Sequence, residues 1–260
     1  MLLNVKACLV YTAPQECDAL LQVEPTTDGG QRCDNPRLLL LSGSTLRLVE
    51  GEDSIGVRRW ITVSNRLDCI FEAQVDVRRV AANLDELQET PRYQLPSAVL
   101  QYLMTSRYCQ SDLFLDFTAS QFAGLSGGAL VRSMSDWVKS NFTYDIFTSN
   151  PGTTATDSFS SLRGVCRDYA HVLIALVRAM GIPARFVSAY APGVRPQDFH
   201  AVVEVFLDGD WHLVDPTGMA TPSDIVRVCV GRDAADASFL TSYGALNLQE
   251  QSVQVERVSP

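Results

Sequence analysis

Residues 199–215, Phe-His-Ala-Val-Val-Glu-Val-Phe-Leu-Asp-Gly-Asp-Trp-His-Leu-Val-Asp, admit few structures other than a tight two-stranded hairpin. Two alternating apolar and polar runs, 199–207 and 210–215, flank Asp208-Gly209. That dipeptide tolerates the paired left-handed conformations of a two-residue turn. Once the turn is fixed, so is the register. Val202 opposes Asp215, and His200 lies two residues further along the face that Asp215 shares. Diagonal neighbours of this kind sit roughly 7–8 Å apart at the backbone, within reach of a His–Asp hydrogen bond. His212 opposes Val205 and points to the other face. Glu204 shares the His200 face and is a rival to Asp215.

A second constrained segment precedes the hairpin. From Val165, apolar residues recur at 169, 172, 173, 176, 177 and 180, the spacing of a buried helix. Gly181 follows as a cap and Pro183 lies just beyond; Ser160 or Ser161 is expected to cap the start. Cys166 then occupies the first turn. There the unpaired amides and the positive dipole end favour a thiolate and can donate to an oxyanion. The chain has three histidines. His171 lies five residues beyond Cys166, roughly 140° around the helix, and points away from the thiol. His200 alone has a carboxylate orienter.

A thiol that attacks, an imidazole that holds its proton and a carboxylate that orients the ring make a nucleophilic triad of Cys166, His200 and Asp215. The spacing does not by itself bring the helix start to the hairpin. The competing reading is an inert buried cysteine and a strand histidine with its bond satisfied. Arg167 and Asp168 follow the nucleophile, as substrate contacts or as a solvated salt pair. Tyr144 lines a groove, assists an oxyanion or simply packs. Cys8, Cys69 and Cys229 read as core.

The rest of the chain sets the context. Residues 2–12, 45–50, 56–64 and 67–80 have the period-2 texture of strands, with turn-formers at Asp28-Gly29-Gly30, Asn35-Pro36 and Ser64-Asn65. They predict a small all-β sandwich over residues 1–92. Thr90–Pro96 reads as a linker. Helices are expected at about 97–104, 111–123 and 127–142, within an α+β domain over 93–260. A net charge of −9, with no basic run, argues against nucleic acid and anionic lipid as partners. No apolar stretch reaches the roughly 20 residues of a membrane span. The start lacks the pattern of a secretory signal, and seven cysteines without a CxxC pair fit a reducing cytoplasm better than a disulfide framework.

The segments that carry these side chains resemble a known family. Gly164-Val165-Cys166-Arg167-Asp168-Tyr169-Ala170, Phe199-His200-Ala201, and Trp211 with Asp215-Pro216-Thr217 are similar to the transglutaminase-like core in its bacterial form. Gly181-Ile182-Pro183-Ala184-Arg185, Phe142-Thr143-Tyr144-Asp145 and Gly231-Arg232-Asp233-Ala234-Ala235-Asp236 fit the same pattern. The β-rich N-terminal part resembles the domain that accompanies many bacterial members. The resemblance implies a papain-like fold, with the nucleophile's helix packed on an antiparallel sheet. It also implies thioester-based acyl transfer at an amide, peptide or isopeptide bond of a protein or peptide substrate, without cofactor or metal. Cys166 takes the nucleophile's place, His200 the base's and Asp215 the orienter's. Tyr144, Arg167, Asp168, Phe199 and Val202 are the candidate substrate contacts. Val202 departs from the aromatic that the family often carries there, which suggests an open groove and hydrolysis. A protein-glutamine transglutaminase, an arylamine-type acyltransferase and a non-catalytic binding module with the same fold are the alternatives.

Overall fold

The alternation of the first eighty residues is realised as strands. In the computed structural model, which describes residues 1–258, they are β1 (Leu2–Thr12), β2 (Cys17–Leu21), β3 (Gln31–Ser42), β4 (Ser44–Glu50), β5 (Val57–Val63) and β6 (Arg66–Val77). One face of β1, with Leu3, Val5, Ala7 and Leu9, is buried together with one face of β6, with Leu67, Cys69, Phe71 and Val75. Asn35-Pro36 does not end a strand. β3 runs through it, slipping register between Asp34 and Arg37 with Asn35 at φ 50°, so that a bulge absorbs the proline.

After the linker come α1 (Ser97–Leu100), α2 (Leu115–Gln121), α3 (Gly127–Asn141), β7 (Thr143–Tyr144), α4 (Ala155–Ser161), β8 (Arg163–Gly164) and α5 (Cys166–Ala179). Then follow β9 (Ala184–Tyr190), β10 (His200–Leu207), β11 (Asp210–Val214) and β12 (Val226–Gly231), an antiparallel sheet of order β11-β10-β9-β12. The β10–β11 turn has Asp208 at φ 48° and Gly209 at φ 80°, and its register pairs Val203 with Val214 and Val205 with His212, as the Asp-Gly turn dictates. Val172, Leu173, Ile174, Ala175, Leu176 and Val177 of α5 are all without exposure, so this helix is enclosed on every side.

The chain then returns to its beginning. β13 (Leu240–Ser242) pairs with β2, and β14 (Asn247–Arg257) pairs with β1 along nearly its whole length. The sandwich therefore consists of the sheets β14-β1-β6-β3 and β13-β2-β5-β4. A division into 1–92 and 93–260 misplaces this C-terminal segment. Alternating Val253 and Val255 are buried against the sandwich core, and that burial draws the end of the chain back. The apolar side chains of both parts form one continuous cluster.

Across the face of the β11-β10-β9-β12 sheet that α5 does not cover, a buried ion cluster joins the two parts. Glu204 of β10 receives Arg185 of β9 at 2.7 and 2.8 Å and Arg227 of β12 at 2.7 Å. From the sandwich side, Asp53 pairs with Arg185 at 2.7 Å and Asp28 pairs with Arg227. Trp211 covers the Arg185 guanidinium at 4.0 Å. Glu204 is thus a structural ion-pair partner, not an orienter of His200. Burial alone would raise Glu204, but the two guanidinium groups outweigh it and hold the carboxyl below its ordinary value. Its stabilising contribution is therefore full above about pH 4.5 and is lost as pH falls through the depressed value. We expect Glu204→Ala, which leaves Arg185 with Asp53 alone and Arg227 with Asp28 alone, to cost about 3 kcal/mol in urea unfolding. Glu204→Gln should flatten the acid limb of the stability profile; an unchanged limb would show that the cluster does not titrate with folding.

Candidate active site

The strand-to-helix passage β8–α5 places Cys166. Helix α5 begins at Cys166 itself, with Val165 as the N-cap in an extended conformation. Ser160 and Ser161, the expected caps, instead belong to α4. Val165 has no side-chain acceptor, so the first-turn amides stay open to other partners. Asp168 supplies the reciprocal half of a capping box, its Oδ2 accepting the Val165 N–H at 2.8 Å. The fit is close. A Cβ at Gly164 would lie 2.6 Å from that oxygen, so glycine is required there. Asp168 is wholly buried and burial raises its pKa, which removes it from the candidate substrate contacts; the expected pair with Arg167 is present at 3.8 Å, with the carboxylate enclosed instead of solvated.

His200 begins β10 and is 2 % exposed; Cys166 is 9 % exposed, and both line one cavity. The Asp215 carboxylate, just past β11, takes His200 Nε2 at 2.9 Å. It also accepts the Thr217 N–H at 2.9 Å, the Thr217 hydroxyl at 2.7 Å and the Ala220 N–H at 2.8 Å. Burial alone would raise Asp215, but these donors hold it below its ordinary value. For His200, burial acts downward, while the Asp215 hydrogen bond and the neighbouring Cys166 sulfur raise the imidazole to about 10. Its Nδ1 is buried and has no hydrogen-bond partner among the described residues. With Nε2 committed to Asp215, Nδ1 is the nitrogen free to exchange a proton with the thiol. The Cys166 Sγ also lies 4.0 Å from the carbonyl oxygen of Phe199.

The cavity has a volume of about 120 Å3. Its apolar lining comes from Phe186, Phe199, Ala201, Ala234, Ala237 and Phe239, with Phe199 stacked on Phe239 at 4.0 Å. Arg167 reaches its edge, and its Nη2 donates to Ser149 Oγ at 2.9 Å and to the Asn150 carbonyl at 2.6 Å. Tyr144 is half-buried, with its phenol beside the Cys166 sulfur and backbone amide. Burial first, and the sulfur second, raise its pKa. Val202 is elsewhere. It is fully buried with Val187 and Leu213 on the sheet face away from α5, and it lines no part of this cavity. The open-groove expectation built on Val202 therefore falls: the hairpin register that aligns Val202 with Asp215 also places it under the Met219–Ala220 segment.

Of the other histidines, His212 Nε2 lies 3.1 Å from the Leu207 carbonyl. His171 is enclosed, stacked on Tyr108 at 5.1 Å, and its Nε2 accepts the Ala234 N–H at 3.2 Å. Burial holds His171 well below the ordinary histidine value, so it is a neutral prop beneath the cavity wall. Ser188 and Phe239, which close the cavity, carry no motif that sequence reasoning could have used. Their positions depend on the fold of the 232–239 segment.

Residues 119–216 match the model of the transglutaminase-like superfamily, a span that holds Cys166, His200 and Asp215. Over 130 residues the chain is 31% identical to an uncharacterised protein of Mycobacterium leprae, covering 46% of each. Over 110 residues it is 32% identical to a protein-glutamine gamma-glutamyltransferase of Pseudomonas aeruginosa, covering 36% of this chain and 16% of that one. The chain thus spans less than half the length of these curated relatives. The solved structure of a "putative cysteine protease" from Cytophaga hutchinsonii superposes with a TM-score of 0.93 at 26% identity, over 100% of this chain and 91% of that one. Residues 119–216 therefore match a transglutaminase-like domain, and the mixed α and β, papain-like architecture expected from the sequence is the one present.

Burial raises Cys33 to about 11 and Cys69, Cys109 and Cys229 to about 12, and it also raises Cys17. Those five thiols stay protonated near neutrality, whereas Cys166 faces an imidazole. Cys166 is therefore expected to be alkylated first by limiting iodoacetamide at about pH 6.5. Peptide mass mapping checks this, and earlier modification of Cys109 or Cys229 would refute it.

Proposed function

We propose that this transglutaminase-like domain is a cysteine hydrolase that cleaves an amide bond of a peptide or protein through a thioester. The observation that supports the reading is the His200 ring, with Nε2 held by a buried carboxylate and Nδ1 left without a partner beside Cys166. In this mechanism Nδ1 already holds the proton given up by Cys166, in keeping with the raised imidazole, and the thiolate attacks the acyl carbon. The carbonyl oxygen gathers negative charge as the tetrahedral intermediate forms. Collapse breaks the C–N bond and the departing amine takes the proton from Nδ1. Water then gives a proton to Nδ1 and attacks the thioester, and collapse releases the acid and leaves the thiolate beside the protonated ring. Asp215 keeps the ring oriented and stabilises its charged form.

The developing oxyanion needs donors. The Cys166 N–H at the open start of α5 supplies one, and the Tyr144 phenol, held protonated by burial and placed beside that amide, supplies the second. A coenzyme-dependent acyltransferase is less well supported, because about 120 Å3 beside the thiol falls far below the roughly 300–1,000 Å3 of small-molecule and cofactor sites. Hydrolysis is favoured over transamidation by the full-length likeness to the Cytophaga protein, against a partial match to the Pseudomonas glutamyltransferase.

Cys166→Ala should abolish turnover, and His200→Ala should nearly do so. Their combined loss should be far from additive, because the groups act as one unit. Tyr144→Phe should lower kcat about 10²-fold with little change in KM, while His212→Ala should retain activity. A stable His200→Ala protein with full activity would refute the triad. Turnover of an amide substrate with rising primary amine separates the two fates of the thioester. Mostly acid is expected, and mostly amide product at about millimolar amine, against water at roughly 55 M, would make the enzyme a transamidase.

A further inference from the structure

The cavity beside Cys166 carries chemical information beyond its position. Its floor and sides are phenylalanine rings and alanine methyl groups, and its two serines have used their protons. The Ser188 hydroxyl donates to the Ala237 carbonyl, and the Ser238 hydroxyl donates to the Ala234 carbonyl at 2.5 Å. Arg167 Nη2 is drawn toward residues 149–150, and its Nε faces the Asp168 carboxylate at 3.8 Å. His200 Nε2 is held by Asp215. A carboxamide or carboxylate entering this space would leave water and find no serine donor, a loss that sites without matching polar groups impose. A volume of about 120 Å3 equals the liquid share of roughly four waters, enough for a side chain of three or four carbons.

The wall is also preformed. The Ala234 N–H is bound to His171 Nε2, Asp233 Oδ2 accepts the Tyr108 N–H at 2.8 Å, and Arg178 Nη2 donates to the Arg232 carbonyl at 2.6 Å. Five of those six residues, Ala234 among them, are buried, so widening the pocket would break several enclosed hydrogen bonds at once.

We propose that this cavity is the acyl-side specificity pocket. It takes a small aliphatic side chain next to the scissile amide, of alanine to leucine size, and rejects glutamine, acidic and aromatic side chains. The proposal rests on the reading of Cys166 as the nucleophile, and it makes the substrate a backbone amide of an aliphatic peptide rather than a glutamine side chain.

Peptidyl acyloxymethyl ketones that differ only in the residue beside the reactive ketone (Ala, Val, Leu, Gln, Glu or Phe) test it, with the rate of Cys166 alkylation read by mass spectrometry. Val and Leu probes should react at least about tenfold faster than Gln, Glu and Phe probes. Ala237→Leu, which fills the space, should shift the preference from Leu to Ala, and Phe239→Ala, which enlarges it, should admit the Phe probe. Equal rates for all six probes on the unaltered protein, or a fastest rate for Gln, would overturn the pocket while leaving the nucleophile intact. If no peptidyl probe reacts while iodoacetamide still modifies Cys166 first, the pocket is again overturned. If iodoacetamide also passes over Cys166, the functional reading itself fails.

Discussion

The site depends on a buried carboxylate that has been given enough donors to remain charged. An isolated carboxylate of this burial would take up a proton rather than stay ionised. Asp215 avoids that outcome because the turn after β11 folds back and presents the Thr217 N–H and hydroxyl and the Ala220 N–H, besides His200. Three of the four donors are local, so the carboxylate is fixed whether or not the imidazole is present. The imidazole is then oriented by a group that cannot follow it. The ring's second nitrogen is left facing the helix start, where a sulfur and free amides converge.

Much of this arrangement was legible in the chain. The Asp208-Gly209 turn fixed which residues of β10 and β11 face each other, and the pairing of Val203 with Val214 follows directly from it. The apolar period from Tyr169 onward marked α5, and Gly181 marked its end. What remained illegible depends on contacts between distant segments. Strand parity puts Val202 on the face shared by His200 and Asp215, but not which segments cover that face further along. Met219, Ala220 and Ile55 do so, and none is near it in sequence. The inward turn of Asp168 did have a signal, since an acidic residue three positions after a helix cap is half of a capping box. Its pairing with a valine cap hid the pattern. Strand β14 carried only Val253 and Val255 as buried markers, too few to assign it to a sheet begun at residue 2.

The two faces of the catalytic sheet follow different physical rules. On the α5 face, packing is mainly apolar, with His171 and Arg178 buried among it, and the cavity lies where the helix and β10 begin. On the other face, a valine-rich patch gives way to the Glu204 cluster, where sandwich carboxylates meet sheet arginines. Directional ion pairs with few alternative partners define one docking angle between the parts, whereas an apolar face alone would tolerate several. The strand that carries His200 is thus held from behind by charges that take no part in the chemistry in front.

The pairing of β1 with β14 has a consequence for synthesis. Leu3 finds its partner at Arg257, so one sheet of the sandwich lacks a strand until the chain has been made through Arg257. The intervening segment that carries Cys166, His200 and Asp215, with its short helix and hairpin connections, emerges first and can condense early. β1 and β6 meanwhile wait with an unpaired edge and a row of open amides. Closure across so long a loop adds little entropy beyond that of a moderate one, but it comes late and requires a search. The nascent chain therefore passes through an interval in which its transglutaminase-like part is assembled around an exposed strand edge, a template for mispairing that the eleven-residue β14 removes.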